Sequence, residues 1–131
     1  MERLYFKVVG DHISIMYRPT HEYLSFVQKD EAGINEIKRL LSMPTEEFYD
    51  YIISKRIKLP QKNDSMKKYF AEEKEKAYKE AWKYTTERLM KEYNITMTDE
   101  EIPYDYIHEK IYGPIEEEQE EKEKQTNVEQ W

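Results

Sequence analysis

Three short stretches of alternating apolar and polar side chains, all near the start of the chain, constrain the fold more than any other sequence feature. They lie at residues 4–9, 12–18 and 23–28. Gly10-Asp11 suits a two-residue hairpin turn, since glycine tolerates positive φ, and Pro19-Thr20 suits a second turn. The pattern predicts a three-stranded antiparallel β-meander over about residues 4–28, with one face packed on helices and the other partly solvated.

Apolar residues recur at helical spacing through most of the remaining chain. The predicted helices span about residues 31–42, 46–57, 65–93 and 103–112. Asp30 and Thr45 are placed to cap the first two helices, and Asn94 to close the third. Pro103 suits the first position of the last helix, and Gly113 suits its end. A meander followed by helices predicts the α+β class.

The third predicted helix, residues 65–93, is unusually long. It would span roughly 40 Å at about 1.5 Å per residue, which is longer than a compact domain of this size requires. Residues 72–76 are all charged, whereas apolar side chains gather towards the two ends. We therefore expect this helix to bridge two contact regions or to project from the domain.

Charge is distributed unevenly along the chain. Residues 1–115 carry 19 basic and 21 acidic side chains, while residues 116–131 carry two basic and seven acidic ones. We expect residues 1–115 to form a single domain and residues 116–131 to form an acidic tail, either a solvated helix or disordered. The near-neutral domain argues against a large cationic face for duplex DNA.

Few residues point to catalysis or metal binding. The chain has no cysteine, which excludes disulfides, thiolate zinc sites and cysteine nucleophiles, and its three glycines are too scattered for a phosphate-binding loop. His12 and His21 fall at opposite ends of the second predicted strand, so each is expected in a solvated turn. His108 lies three residues after Asp105 on an apolar helical face and is expected at the edge of the core. The sequence therefore predicts a non-enzymatic protein without metal or cofactor.

Hydropathy and the start of the chain bear on location. No apolar run approaches the roughly 18 residues that a membrane span requires, and Met1-Glu2-Arg3 leads directly into the first predicted strand. We expect no membrane contact, no signal peptide and a cytoplasmic location, that of the host cell if the protein is viral. Lysine outnumbers arginine 16 to 5, which is typical of AT-rich genomes and, together with many glutamates, of some thermophiles.

Aromatic residues lie all around the third predicted helix rather than along a single stripe. Exposed tyrosine and tryptophan are favoured in protein interfaces, so we expect a partner-binding surface that combines this helix with the acidic tail. Its candidate residues are Tyr69, Tyr78, Trp82, Tyr84, Glu116, Glu117, Glu118, Glu120, Glu121 and Trp131.

The function expected from these features is protein binding. The chain is interpreted as a small accessory protein of viral or mobile-element type that inhibits or modulates a host or partner protein. Its carboxylates would then imitate nucleic acid in front of a basic groove. Two alternatives stay open: a nucleic-acid-associated protein that uses the aromatic and basic residues of the long helix, and a self-associating structural protein.

Overall fold

The computed structural model describes residues 1–62 and 65–113, without the side chains of residues 65–70. The strands are β1 (Leu4–Val9), β2 (His12–Tyr17) and β3 (Glu22–Gln28). The helices are α1 (Glu31–Ser42), α2 (Thr45–Ser54), α3 (Ser65–Ala77), α4 (Lys83–Tyr93) and α5 (Tyr104–Tyr112), with a π-helical turn, Tyr78–Trp82, between α3 and α4. The predicted α+β fold with an antiparallel meander is confirmed. The predicted acidic tail, residues 116–131, lies outside the described residues.

The sheet has the order β1-β2-β3, with both pairs antiparallel. Gly10 has a φ of 59° in the first turn, as the hairpin prediction required. The register shifts between Ile15 and Met16, where β3 carries the extra residue Leu24. Strict alternation would put Leu24 on the same face as Phe26, which is exposed. The bulge instead places Leu24 in the core.

The first face of the sheet carries the main core. Buried side chains from all three strands pack here against α1, α2, α4 and α5. At its centre the hydroxyl groups of Tyr17 and Tyr49 are 2.8 Å apart, so two buried phenols satisfy each other. The fully buried sheet and helix residues of this face include Leu4, Phe6, Ile13, Ile15, Tyr17, Ile37, Phe48 and Ile52.

Helix ends follow local chemistry in most places. The Asp30 carboxylate accepts a hydrogen bond from the Gly33 N–H at 2.8 Å, which is the predicted cap of α1. Asn94 closes α4 in the left-handed region with a φ of 54°, and Gly113 follows α5 with a φ of 84°. These three predictions are confirmed. Each could be made from the sequence because it depends on backbone geometry within a few residues.

The start of α2 was predicted wrongly. The helix begins at Thr45, so the cap position falls on Pro44, which has no side-chain acceptor. The Thr45 hydroxyl donates to a Glu100 carboxylate oxygen at 3.2 Å. The helix also ends at Ser54, three residues earlier than predicted. The predicted cap is therefore wrong because the helix starts one residue earlier than predicted.

The long helical segment runs past the edge of the sheet at β1. The Thr86 hydroxyl is buried there, 3.1 Å from the Phe6 nitrogen and 3.0 Å from the Phe6 carbonyl oxygen. One side chain thus satisfies both backbone groups of an edge-strand residue, which shields that edge from other strands. Leu89 packs into the main core and Tyr78 into a cluster on the opposite face, so the helix does bridge two contact regions.

Candidate functional site

The second face of the sheet divides into a covered half and an open half. Tyr5 and Met16 are buried there beneath Tyr78 and the half-buried Trp82. The pairing of the strands places Tyr5, Met16 and Tyr23 in one cross-strand row, followed by the rows Lys7–Ser14–Phe26 and Val9–His12–Gln28. Helix α3 and the π-helical turn therefore cover one end of this face.

An ion pair fixes α3 over the covered half. The buried Arg18 guanidinium donates two hydrogen bonds to the Glu75 carboxylate, at 2.7 and 2.8 Å, and lies 4.0 Å from the Tyr78 ring centroid. This bidentate contact lowers the pKa of Glu75. Arg3 and Glu100, 2.9 Å apart, form a comparable pair, which we call the first clamp. We call Arg18 and Glu75 the second clamp.

His21 joins the second clamp. Its side chain is only 5% exposed, with Nε2 3.1 Å from a Glu75 oxygen and Nδ1 3.3 Å from the Tyr5 hydroxyl. The prediction of a solvated turn was therefore wrong for His21. The partner Glu75 lies 54 residues away in the sequence. His21 also has a left-handed φ of 58°, which no local sequence pattern predicts.

The order Glu75, His21, Tyr5 resembles an acid–base relay, but its electrostatics suit packing. Burial raises the pKa of Tyr5 to about 12, so the phenol stays protonated at neutral pH and is a poor nucleophile. Burial and then the neighbouring Arg18 lower the pKa of His21, which keeps the imidazole neutral. The Glu75 carboxylate is already committed to Arg18. These groups mainly dock α3 on the sheet.

The open half of the second face carries the most exposed apolar surface of the sheet. Val9 is 62% exposed, Phe26 57% and Tyr23 50%. The ring of His12 lies 5.7 Å from that of Phe26. We call this surface the open face, and it consists of Lys7, Val9, His12, Ser14, Tyr23, Phe26 and Gln28.

Charge is nearly absent from the open face. No carboxylate lies among its seven side chains, although charged residues make up 37% of the whole chain. The Lys7 ammonium is 5.2 Å from the Trp82 ring centroid, and His12 Nε2 is 3.1 Å from the Gln28 amide nitrogen. An aromatic and apolar centre with few charges is the composition of a protein interface core.

Three of the side chains predicted for the interface, Tyr78, Trp82 and Tyr84, are described, and they differ in exposure. Tyr78 is 8% exposed and lies beneath Arg18, so its ring packs inside, and Trp82 is half-buried against Lys7. Tyr84 is 72% exposed on α4. The side chain of Tyr69 and all the tail candidates, Glu116, Glu117, Glu118, Glu120, Glu121 and Trp131, lie outside the described residues.

Within the described ranges, no three metal-ligating side chains converge. His108, expected at the edge of the core, is exposed and lies 4.8 Å from the Tyr112 ring, while Ile107 beside it is buried. Helix α5 is therefore rotated so that only one of these two residues enters the core.

None of the described helices is long and apolar enough to cross a membrane.

No family model, curated protein or solved structure matches the chain.

Proposed function

We propose that this protein binds another protein through the open face. The observation that carries the proposal is the concentration of exposed Val9, Tyr23 and Phe26 on one sheet surface that lacks carboxylates. Exposed apolar side chains that gather on one face of an otherwise highly charged domain favour an interaction site there. The partner is a folded protein with a complementary apolar patch, because Lys7 alone gives too little charge to hold a phosphate backbone.

The size of the open face fits the centre of an interface. Three strands about 4.8 Å apart and about five residues at 3.3 Å each cover roughly 240 Å². A stable interface buries about 800 Å² on each partner, so neighbouring residues such as Trp82 must contribute. Binding energy concentrates in a few aromatic side chains, and Phe26, in the middle row at the β3 side, is the more exposed of the two aromatic residues of the open face.

Phe26 provides the test of this proposal. The full chain, tagged and nuclease-treated, is used to recover a partner from the source cells, and the purified pair is then measured by calorimetry. We expect Phe26→Ala, combined with Val9→Asn, to weaken the purified complex by at least about 30-fold, as loss of a hot spot does. Tyr112→Ala is the matched control, since Tyr112 is 64% exposed on α5.

Unchanged affinity in the Phe26 variant, with an intact fold by circular dichroism, would exclude the open face as the site. Recovery of only the chain itself, with a doubled mass in solution, would favour self-association instead. The expectations of viral origin, inhibition and imitation of nucleic acid by the tail stay predictions. They become testable once a partner is identified.

A further inference from the structure

A groove separates α4 from the end of β1. Its volume is about 670 Å³, within the range of roughly 300 to 1,000 Å³ that is usual for small-molecule sites. Apolar side chains Val8 and Leu89 contribute to its lining. The remaining lining residues are Lys29, Tyr84, Thr85, Arg88, Lys91 and Glu92.

Positive charge predominates in this groove. Its single carboxylate, Glu92, lies 3.9 Å from the Lys29 ammonium, so these two charges offset each other. Arg88 and Lys91 remain, and neither has an ion-pair partner among the described residues. Glu87, which is adjacent in sequence, does not line the groove. The lining therefore holds three basic side chains, Lys29, Arg88 and Lys91, against one carboxylate.

An exposed aromatic ring lies beside these cations. Tyr84, Arg88 and Lys91 follow one another at four and three residues, so they occupy one side of α4. The Tyr84 side chain is 72% exposed, which leaves its ring free to stack on a planar group. Tyrosine stacking combined with neighbouring cations is how proteins hold single-stranded nucleic acid and nucleotides.

We propose that the groove binds a nucleotide unit, with the base stacked on Tyr84 and the phosphate held by Arg88 and Lys91. The unit is either a free nucleotide or one residue of a single strand, since both present the same base and phosphate. An acidic peptide would use the cations but would gain little from the exposed ring. None of the seven residues of the open face lines the groove.

Fluorescence anisotropy of the full chain with labelled oligothymidine of about 15 nucleotides tests this site. We expect binding that weakens steeply as salt rises, a loss of roughly 10-fold in Tyr84→Ala, and a larger loss in Arg88→Glu. Tyr112→Ala and Lys38→Glu are the matched controls, because both residues are exposed on other helices. They should bind as the unmodified chain does.

Two further measurements identify the ligand. Competition by adenosine monophosphate as strong as that by an oligonucleotide would assign a free nucleotide, whereas affinity that grows with strand length would assign a single strand. Absence of binding at low salt, or poly-glutamate binding that Tyr84→Ala leaves unchanged, would overturn the proposal. Neither result would affect binding through Phe26, so the two proposals fail separately.

Discussion

Two arginine clamps with similar geometry hold the helices of this protein, and they differ in how completely they are satisfied. Arg3 and Arg18 are neighbours, since the Arg18 N–H donates to the Arg3 carbonyl at 3.0 Å. Arg3 pairs with Glu100 at 2.9 and 3.0 Å, and Arg18 pairs with Glu75 at 2.7 and 2.8 Å. Each guanidinium also stacks on an aromatic ring, Phe48 or Tyr78, at 4.2 and 4.0 Å.

The remaining hydrogen bonds distinguish the clamps. In the first clamp, Arg3 Nη1 also donates to the carbonyl oxygens of Leu40 and Met43, at 2.9 and 2.8 Å. In the second clamp, Arg18 Nε is buried without a partner in the described part of the chain, and a histidine lies against the same carboxylate. An unsatisfied buried donor costs stability. We therefore expect the first clamp to contribute more to the free energy of unfolding than the second clamp does.

Removal of Arg3 should have the largest effect. Arg3→Met keeps most of the aliphatic length but removes the Arg3 donor from two helix-end carbonyls. It also leaves the Glu100 carboxylate, which is 21% exposed, with the Thr45 hydroxyl as its remaining side-chain donor among the described residues. Breaking one side of such a pair lowers the free energy of unfolding by about 3 kcal/mol. Urea denaturation followed by circular dichroism measures it. Arg39→Met, which breaks an exposed pair with Glu36, should leave it nearly unchanged.

Removal of Arg18 should cost about half as much. Arg18→Met also removes the unpaired Nε, and it leaves a Glu75 carboxylate that is 31% exposed and can be hydrated. We expect a loss of about 1.5 kcal/mol in the same urea experiment. Equal losses for Arg3→Met and Arg18→Met would show that the unsatisfied donor has no energetic consequence, and the contrast between the clamps would then be wrong.

Both clamps show why the fold could be predicted from the sequence more completely than the side-chain contacts could. Strand alternation, the Asp30 cap and the Asn94 helix end depend on residues close in the chain, so their chemistry can be read locally. Arg3 and Glu100 are 97 residues apart, and Arg18 and Glu75 are 57 apart. No periodicity links such partners, because their approach depends on how whole elements pack.

The position of the open face could not be predicted from the sequence for a related reason. The strand pattern correctly indicated one partly solvated face, but which part of it α3 covers depends on the second clamp. Tyr78 was predicted at the surface because aromatic residues surround the helix in sequence. It is buried because Tyr5 and Arg18 approach it from the sheet. Phe26 gave no separate signal within its alternating strand.

A smaller and pH-dependent effect should distinguish the second clamp further. Burial, Arg18 and Lys74 lower the pKa of His21 below its usual 6.5, while Glu75 partly opposes this shift. The unfolded chain therefore takes up this proton at higher pH than the folded chain. The His21 contribution to stability is complete above about pH 6.5 and is lost as pH falls from there through the lower folded pKa.

Urea midpoints at pH 7 and pH 5 test this dependence, because the lowered pKa of Glu75 matters only below its usual 4.5. We expect a decrease from pH 7 to pH 5 that His21→Asn reduces, since asparagine tolerates the left-handed φ but does not titrate. His12→Asn, on the exposed His12, should keep the full decrease. An equal decrease in all three chains would assign the acid sensitivity elsewhere. Hydrogen-exchange protection, corrected for the intrinsic rate at each pH, that falls in α3 but not in α1 at pH 5 would assign it to the second clamp.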